Sequence, residues 1–308
     1  MDSFVARRFQ DLRSNVIPRR KLADQIVDRL EDYLVALQNP KNRASPLIDE
    51  QIWTFLFVYG FREEPNKLFE CLTEHKEPAP ENCKSWLEMM PMPVRQGSHE
   101  EGSEGNTYID LISGSIANRT GTKAGVQYRP PGPVCLVEAK WKSDIAGYTT
   151  HDPQRNQLAR VIETAVTLQH HTKGENLDKP TDEANAKEKL PEKVYVTLLT
   201  PKVFKVDSLP ANRFYAYKYF EYRNQWQSLR HDIFCQHVPQ RPSSDWTYPS
   251  DISDRLNNIN LCWVTYENLF LEMPPGDYKE ALRCFVNDQF IKPTNKPISP
   301  LLDQKFFK

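Results

Sequence analysis

Asp110, Glu138 and Lys140 have the side-chain types and the spacing that suit hydrolysis assisted by a metal ion. Asp110 interrupts one apolar run, and Glu138 and Lys140 lie two positions apart in a second. In a β-strand, residues i and i+2 point to the same face, so Glu138 and Lys140 emerge side by side. Two carboxylates held close together repel each other unless a divalent cation lies between them. Such a cation lowers the pKa of a bound water and neutralises charge that builds up on a phosphate.

An exposed strand with alternating charges also produces a Glu-x-Lys triplet, and for an isolated triplet this is the more frequent explanation. The context favours chemistry in this chain. The triplet lies in apolar sequence, an acid interrupts the preceding apolar run, and a helix that carries a glutamine follows.

Strands and one helix are predicted to position these side chains. Residues 107–116 and 134–141 are rich in β-forming residues and are bounded by glycine and proline, which predicts two strands. If these strands pair, Asp110 joins Glu138 and Lys140 on one patch. Residues 153–171 predict a helix, and residues 193–201 predict a strand beside 134–141, with the helix as the crossover between them.

With this order of elements, the sequence resembles the PD-(D/E)xK nuclease superfamily, which has the restriction-endonuclease-like fold. The resemblance covers the middle of the chain and rests on Asp110, on Glu138 with Lys140, and on Gln157 in the helix; Ile109 stands where the family has its name-giving proline. It implies an α/β (α+β) fold with a mixed central sheet flanked by helices, together with an N-terminal helical extension.

The resemblance also implies a magnesium cofactor, for which Mn²⁺ can substitute. Asp110 and Glu138 would bind the cation, while Lys140 and Gln157 would assist the attacking water or the transition state. Glu50, in the first turn of a predicted helix, is a further candidate metal ligand, since nucleases of this fold often have an acid on the helix before the sheet. The alternative is that Glu50 only complements the helix dipole.

Basic residues around the patch are candidate contacts to a phosphate backbone, although exposed loops without a binding role explain them as well. They are Arg119, Lys123, Lys142 and Arg155.

The chain divides into a helical part, residues 1–90, and a nuclease core, residues 91–308, which we expect to form one compact unit. The predicted helices of the first part are 3–14, 20–38, 47–59, 64–75 and 81–90, and residues 91–96 predict the first strand of the sheet. The connection 114–133 predicts either a loop that could contact a phosphate backbone or a long hairpin without such a role. Residues 172–192 are charged and poor in apolar side chains, which indicates a flexible surface loop. Residues 213–234 form an aromatic helical stripe with interleaved bases, typical of a core face and also of nucleic-acid stacking.

Composition limits the possible function classes. The chain has 308 residues, is 39% hydrophobic and carries a formal net charge of −1, which argues modestly against a nucleic-acid partner, although its 40 basic residues can cluster. The cysteines are scattered without a Cys-x-x-Cys motif, so neither a zinc knuckle nor a disulfide framework is predicted. No apolar run reaches membrane-spanning length, and we expect a cytoplasmic protein without membrane contact.

The residues and the resemblance together predict a metal-dependent endonuclease that acts on double-stranded DNA, and by analogy a role in restriction or anti-phage defence. A protein partner or a second copy of the chain can supply further contacts to DNA. The alternative is a non-catalytic nucleic-acid-binding or scaffold subunit of a larger defence or repair complex. A weaker alternative is an RNA-cutting effector.

Overall fold

The computed structural model describes residues 50–92, 94, 107–119, 125–141, 143–145, 147, 155–170, 190–209, 213–234, 248–280 and 282–283. The predicted helices 3–14 and 20–38 lie outside these residues, as do residues 172–189 of the predicted surface loop. Among the described residues, no helix combines the length and the apolar character that crossing a membrane requires.

A mixed sheet of seven strands forms the centre of the described structure, with the order β3-β4-β1-β2-β5-β6-β7. The strands are β1 (Lys84–Pro91), β2 (Ile109–Gly114), β3 (Ile116–Asn118), β4 (Gly125–Tyr128), β5 (Val134–Ala139), β6 (Val194–Thr200) and β7 (Asn260–Thr265). The β1–β2, β2–β5 and β3–β4 pairs are antiparallel, whereas β1–β4, β5–β6 and β6–β7 are parallel. Every residue of β5 and β6 is buried, as expected for strands covered on both faces.

Helices cover both faces of this sheet. They are α1 (Glu50–Tyr59), α2 (Pro65–Leu72), α3 (Gln157–Val166), α4 (Phe214–Asn224), α5 (Trp226–Phe234), α6 (Ile252–Asn257) and α7 (Tyr266–Glu272). Leu111 and Val137 belong to a core with α1, α2 and α7, whereas their neighbours Ile112 and Leu136 belong to a core with the other four helices. This alternation follows from the strand period of two and confirms the predicted mixed sheet flanked by helices.

The crossover helix between β5 and β6 is α3, as predicted. The chain enters it through Asn156, whose side-chain oxygen accepts a hydrogen bond from the Ala159 N–H at 3.0 Å. This cap satisfies one of the backbone donors that every helix start leaves without a partner. The described helix ends at Val166, earlier than the predicted end at residue 171.

Two predictions about local structure were wrong. Residues 81–90 contain strand β1 instead of a helix, because Trp86 and Leu87 pair with β2, and this pairing outweighs the helix propensity of the local sequence. The first strand therefore ends at Pro91 instead of beginning there. The connection 114–133 contains the antiparallel pair β3–β4, which agrees with the hairpin alternative for this segment.

The aromatic stripe at residues 213–234 belongs to the core. It forms two helices, α4 and α5, instead of one. Tyr215, Tyr219 and Tyr222 are buried, at most 4% exposed, in the core that also holds Trp263 of β7. These rings are therefore not available to stack on nucleic-acid bases.

Candidate active site

The pairing of β2 with β5 brings Asp110 and Glu138 together. Leu111 lies opposite Val137 in this antiparallel ladder, and the next step along it sets Asp110 against Glu138. The Asp110 carboxylate folds over the end of β5, where Oδ2 accepts a hydrogen bond from the Ala139 N–H at 2.8 Å. Asp110 is half-buried, whereas Glu138 is only 2% exposed. The two carboxylates therefore share one patch that reaches the surface at Asp110.

Lys140 lies in the same patch. Its backbone N–H donates to the Leu199 carbonyl at 2.8 Å, which continues the pairing with β6 beyond the last residue of β5. Its ammonium lies 2.7 Å from Glu138 Oε1 and donates to the Ala139 carbonyl at 3.0 Å. Because Lys140 is 4% exposed, its charge acts in a nearly closed environment, where electrostatic interactions are stronger than in water.

Glu50 reaches this patch from the first turn of α1. Its Oε1 lies 3.1 Å from the Lys140 ammonium, and its Oε2 accepts from the Trp141 N–H at 2.8 Å and from the Ser143 hydroxyl at 2.7 Å. Trp53, almost one turn along α1, stacks on Trp141 with ring centroids 4.2 Å apart. The helix is thus fixed against the segment after β5, and both oxygens of Glu50 are engaged with that segment.

The Asp110 and Glu138 carboxyl groups have raised pKa values. Burial raises the pKa of Asp110 well above its ordinary value, and Glu138 raises it further. Burial also raises the pKa of Glu138, although Lys140 acts to lower it. Burial acts to lower the pKa of Lys140, but Glu138 and Asp110 outweigh burial and raise it. Lys140 is therefore an ammonium at neutral pH, and it does not fully compensate the acids around it.

Glu88 is an acid of the patch that the sequence analysis did not identify. It lies on β1 between Leu87 and Met89, which pair with residues on either side of Asp110, and it contributes to the raised pKa of Asp110. It is 7% exposed, and its φ of 52° interrupts the regular strand. The signal was the same as for Asp110, an acid within an apolar run, but the predicted helix at 81–90 concealed it.

Arg155 and Arg119, two of the predicted nucleic-acid contacts, have buried side chains, which does not favour that role. Arg155 is fully buried and forms an ion pair with Glu163 of α3, because a buried charge is costly without an opposite charge beside it. Arg119 is 8% exposed, and one of its guanidinium nitrogens lies 2.9 Å from the Met92 sulfur. Neither guanidinium lies on a surface that a phosphate backbone can reach. Lys123 and Lys142 lie outside the described residues.

Gln157 is the first residue of α3 and is half-buried. Arg160 lies three positions later, on the same side of the helix. The Arg160 guanidinium donates to the Thr107 hydroxyl at 3.0 Å, just before β2, and it is among the groups that act to lower the pKa of Glu138. The first turn of α3 therefore lies next to the strands that carry Asp110 and Glu138.

No protein-family model, no curated protein and no solved structure matches this chain in the comparisons made with known proteins.

Proposed function

We propose that this protein is a metal-dependent nuclease, most directly an endonuclease that hydrolyses phosphodiester bonds in double-stranded DNA. One observation carries the proposal: Asp110, Glu138 and Lys140 meet at one end of the β2–β5 pair, with the Lys140 ammonium 2.7 Å from Glu138. The order strand, strand, helix, strand around them agrees with the resemblance to PD-(D/E)xK nucleases.

The donor set fits Mg²⁺ or Mn²⁺. Asp110 and Glu138 offer carboxylate oxygens, which are the ligands that these hard cations prefer. Their raised pKa values show that both negative charges are unfavourable while no cation offsets them. A bound divalent cation would supply a water of lowered pKa and would offset negative charge on the phosphate.

Side chains of the protein would stabilise the transition state and position the reacting groups. Lys140 places a fixed positive charge where a phosphate or an attacking water would lie, and such preorganised charges stabilise a transition state without reorganisation. Glu50 holds Lys140 and the backbone after it, so we assign it a positioning role instead of the predicted role of a metal ligand. Gln157 begins α3, and its amide would be available to orient the water.

A non-catalytic binding subunit is the competing function, and the ion pairs of Lys140 favour it. An ammonium held between Glu138 and Glu50 also serves as a purely structural link across the end of β5. A titration with Mn²⁺, followed by isothermal calorimetry, separates the two functions. A nuclease centre predicts binding that Asp110→Asn abolishes. A structural ion pair predicts no binding by either protein.

The substrate class is tested by incubating purified protein with supercoiled plasmid and with structured RNA, in Mg²⁺ and in EDTA. We expect nicked and linear plasmid only in Mg²⁺. Cleavage of RNA with an intact plasmid would show that the DNA assignment is wrong while leaving the metal-dependent chemistry in place.

A further inference from the structure

Cys71, His75 and Glu272 bring three different metal-ligand groups together outside the patch described above. One potential ligand atom from each residue lies within 4.8 Å of the other two. Cys71 is in the last turn of α2, His75 follows it by four residues, and Glu272 is the last residue of α7. Two helices that are distant in sequence therefore meet at these side chains.

The turn after α2 returns His75 to the side of Cys71. Glu74 and His75 have φ of 53° and 56°, in the left-handed region, and the His75 N–H donates to the Glu70 carbonyl at 2.7 Å. The Glu74 side chain accepts from the Lys76 ammonium and from the Trp263 N–H, so it is engaged elsewhere. The backbone thus folds back over the end of its own helix at the cost of two residues in a sparsely populated conformation.

The three ligand groups of this cluster differ in their burial. Cys71 is 4% exposed, so its thiol is turned inward at the point where the exposed His75 and Glu272 converge. A buried thiol beside an imidazole and a carboxylate is a ligand set and not an ordinary apolar contact.

We propose that Cys71, His75 and Glu272 bind Zn²⁺ and thereby clamp the end of α2 to the end of α7. A thiolate, an imidazole and a carboxylate are all common zinc ligands, and a water completes the tetrahedron. The thiolate selects zinc over the Mg²⁺ that the carboxylates of the other patch prefer. The site shares no residue with that patch, and the inference does not depend on the proposed nuclease activity.

The charges near the site are compatible with a bound dication. One thiolate and one carboxylate balance the two positive charges of Zn²⁺, so the bound centre is neutral. Lys67 interacts electrostatically with Cys71, and Lys279 does so with Glu272. A neutral centre does not repel these two ammonium groups. In the absence of a cation, burial raises the pKa of the Cys71 thiol to about 12, and Glu272 adds to the increase. The thiol is then protonated, and binding releases this proton, as is general for thiolate ligands.

The test compares zinc binding by the full-length chain with binding by single-ligand variants, using equilibrium dialysis with metal analysis and thermal unfolding. The variants are Cys71→Ser, His75→Asn and Glu272→Gln. Asparagine tolerates the left-handed backbone at position 75, and Glu272→Gln changes an exposed side chain, so both variants should fold. The control is Cys83→Ser, which alters a buried thiol outside the site.

We expect each ligand variant to bind one zinc ion fewer per chain, or to bind it at least about ten-fold more weakly, and to lose the zinc-dependent rise in melting temperature. The control should behave as wild type. Replacement of zinc by Co²⁺ should give a thiolate charge-transfer band that Cys71→Ser removes. Unchanged zinc binding in His75→Asn and Glu272→Gln, or a cobalt spectrum without a thiolate band, would overturn the proposal.

Discussion

Lys140 carries its positive charge into a nearly closed space at the candidate site. Glu138 lies 2.7 Å from its ammonium and Glu50 lies 3.1 Å from it. Buried ion pairs of this kind contribute little net stability when intact, but the loss of one partner is expensive because it leaves the other charge buried and uncompensated. The same arrangement serves catalysis, since a charge held in advance need not reorganise during the reaction.

Replacing Lys140 by methionine should therefore destabilise the metal-free protein by about 3–5 kcal/mol at neutral pH. Glu138 and Glu50 would lose the ammonium that compensates them. Denaturant unfolding measures the effect, with Arg283→Met as the control, because Arg283 also pairs with a glutamate but the two side chains are 39% and 60% exposed. Because both partners of the Arg283–Glu280 pair are solvent-exposed, the control should cost at most about 1 kcal/mol. Equal losses in the two variants would contradict the burial argument.

Asp110→Asn should raise the stability of the metal-free protein, and the gain should grow as the pH rises. Burial and Glu138 raise the pKa of Asp110 in the folded state, so the folded protein keeps a proton that the unfolded chain releases above its lower, ordinary pKa. Between these two pKa values the folded wild type loses stability with increasing pH, and the asparagine variant does not.

Melting temperatures measured across this pH range, in EDTA and in Mg²⁺, test the Asp110 prediction. Mg²⁺ should stabilise the wild type, by about 2.7 kcal/mol at 100 times its dissociation constant, and should have no such effect on Asp110→Asn. Asp207→Asn, at an exposed bend, is the matched control. A variant that melts lower than wild type in EDTA at neutral pH would show that the carboxylate is stabilising by itself.

At the scale of elements, three pieces of chain converge on the site. The β2–β5 pair sets Asp110 against Glu138, α1 delivers Glu50, and the first turn of α3 lies beside them. Arg155, two residues before α3, forms a buried ion pair with Glu163 in the helix and so ties the segment before the helix to its middle. The guanidinium of Arg155 therefore has a structural role in this helix.

Arg155→Met should destabilise the protein by about 3–5 kcal/mol, because the buried Glu163 carboxylate would lose the guanidinium that compensates its charge. It should leave the DNA affinity of the folded fraction unchanged. Unfolding curves and fluorescence anisotropy with labelled duplex measure the two effects, and Arg230→Met, at an exposed position of α5, serves as the control. Unchanged stability together with reduced DNA affinity would restore Arg155 as a phosphate contact.

The pairing of β2 with β5 was predictable from sequence because both strands are apolar runs of β-forming residues, and the period of two then places Glu138 and Lys140 on one face. Strand β1 was not predictable in the same way. Its leucine, glutamate and methionine residues favour a helix locally, and only pairing with β2 and β4 makes them a strand. Glu88 was missed for this reason.

Local sequence also did not reveal which charged side chains are buried. A lone arginine such as Arg155 is most often exposed, and nothing in the residues next to it reveals the Glu163 carboxylate that permits burial. Glu50 shows the reverse case. Its position in the first turn of a helix was predictable, but its engagement with Trp141 and Ser143 follows from the packing of Trp53 on Trp141.

At the scale of the whole molecule, the near-zero net charge predicts weak binding to nucleic acid. The formal net charge is −1, and two arginines proposed for phosphate contact are buried. Affinity for DNA comes largely from neutralised phosphates and the release of their counterions. A second protein or a second copy of the chain would then supply the additional positive surface.

The purified protein alone should therefore bind duplex DNA weakly and with a shallow salt dependence. Anisotropy titrations between about 50 and 200 mM salt measure this, where a protein with 6–10 phosphate contacts would lose about 10³–10⁵ in affinity. Addition of the partner, if it supplies the positive surface, should steepen the dependence. Tight binding by the single protein with a steep dependence would contradict this prediction.

The central claim is that Asp110, Glu138 and Lys140 form a metal-dependent hydrolytic centre. Its most direct test is plasmid cleavage in Mg²⁺ or Mn²⁺ by wild type, Lys140→Ala, Asp110→Asn and the control Asp207→Asn, at a temperature where all four are folded. Cleavage by wild type and control that disappears in EDTA and falls at least about 10²-fold in both site variants is the predicted result. Cleavage that survives both Lys140→Ala and Asp110→Asn would contradict it.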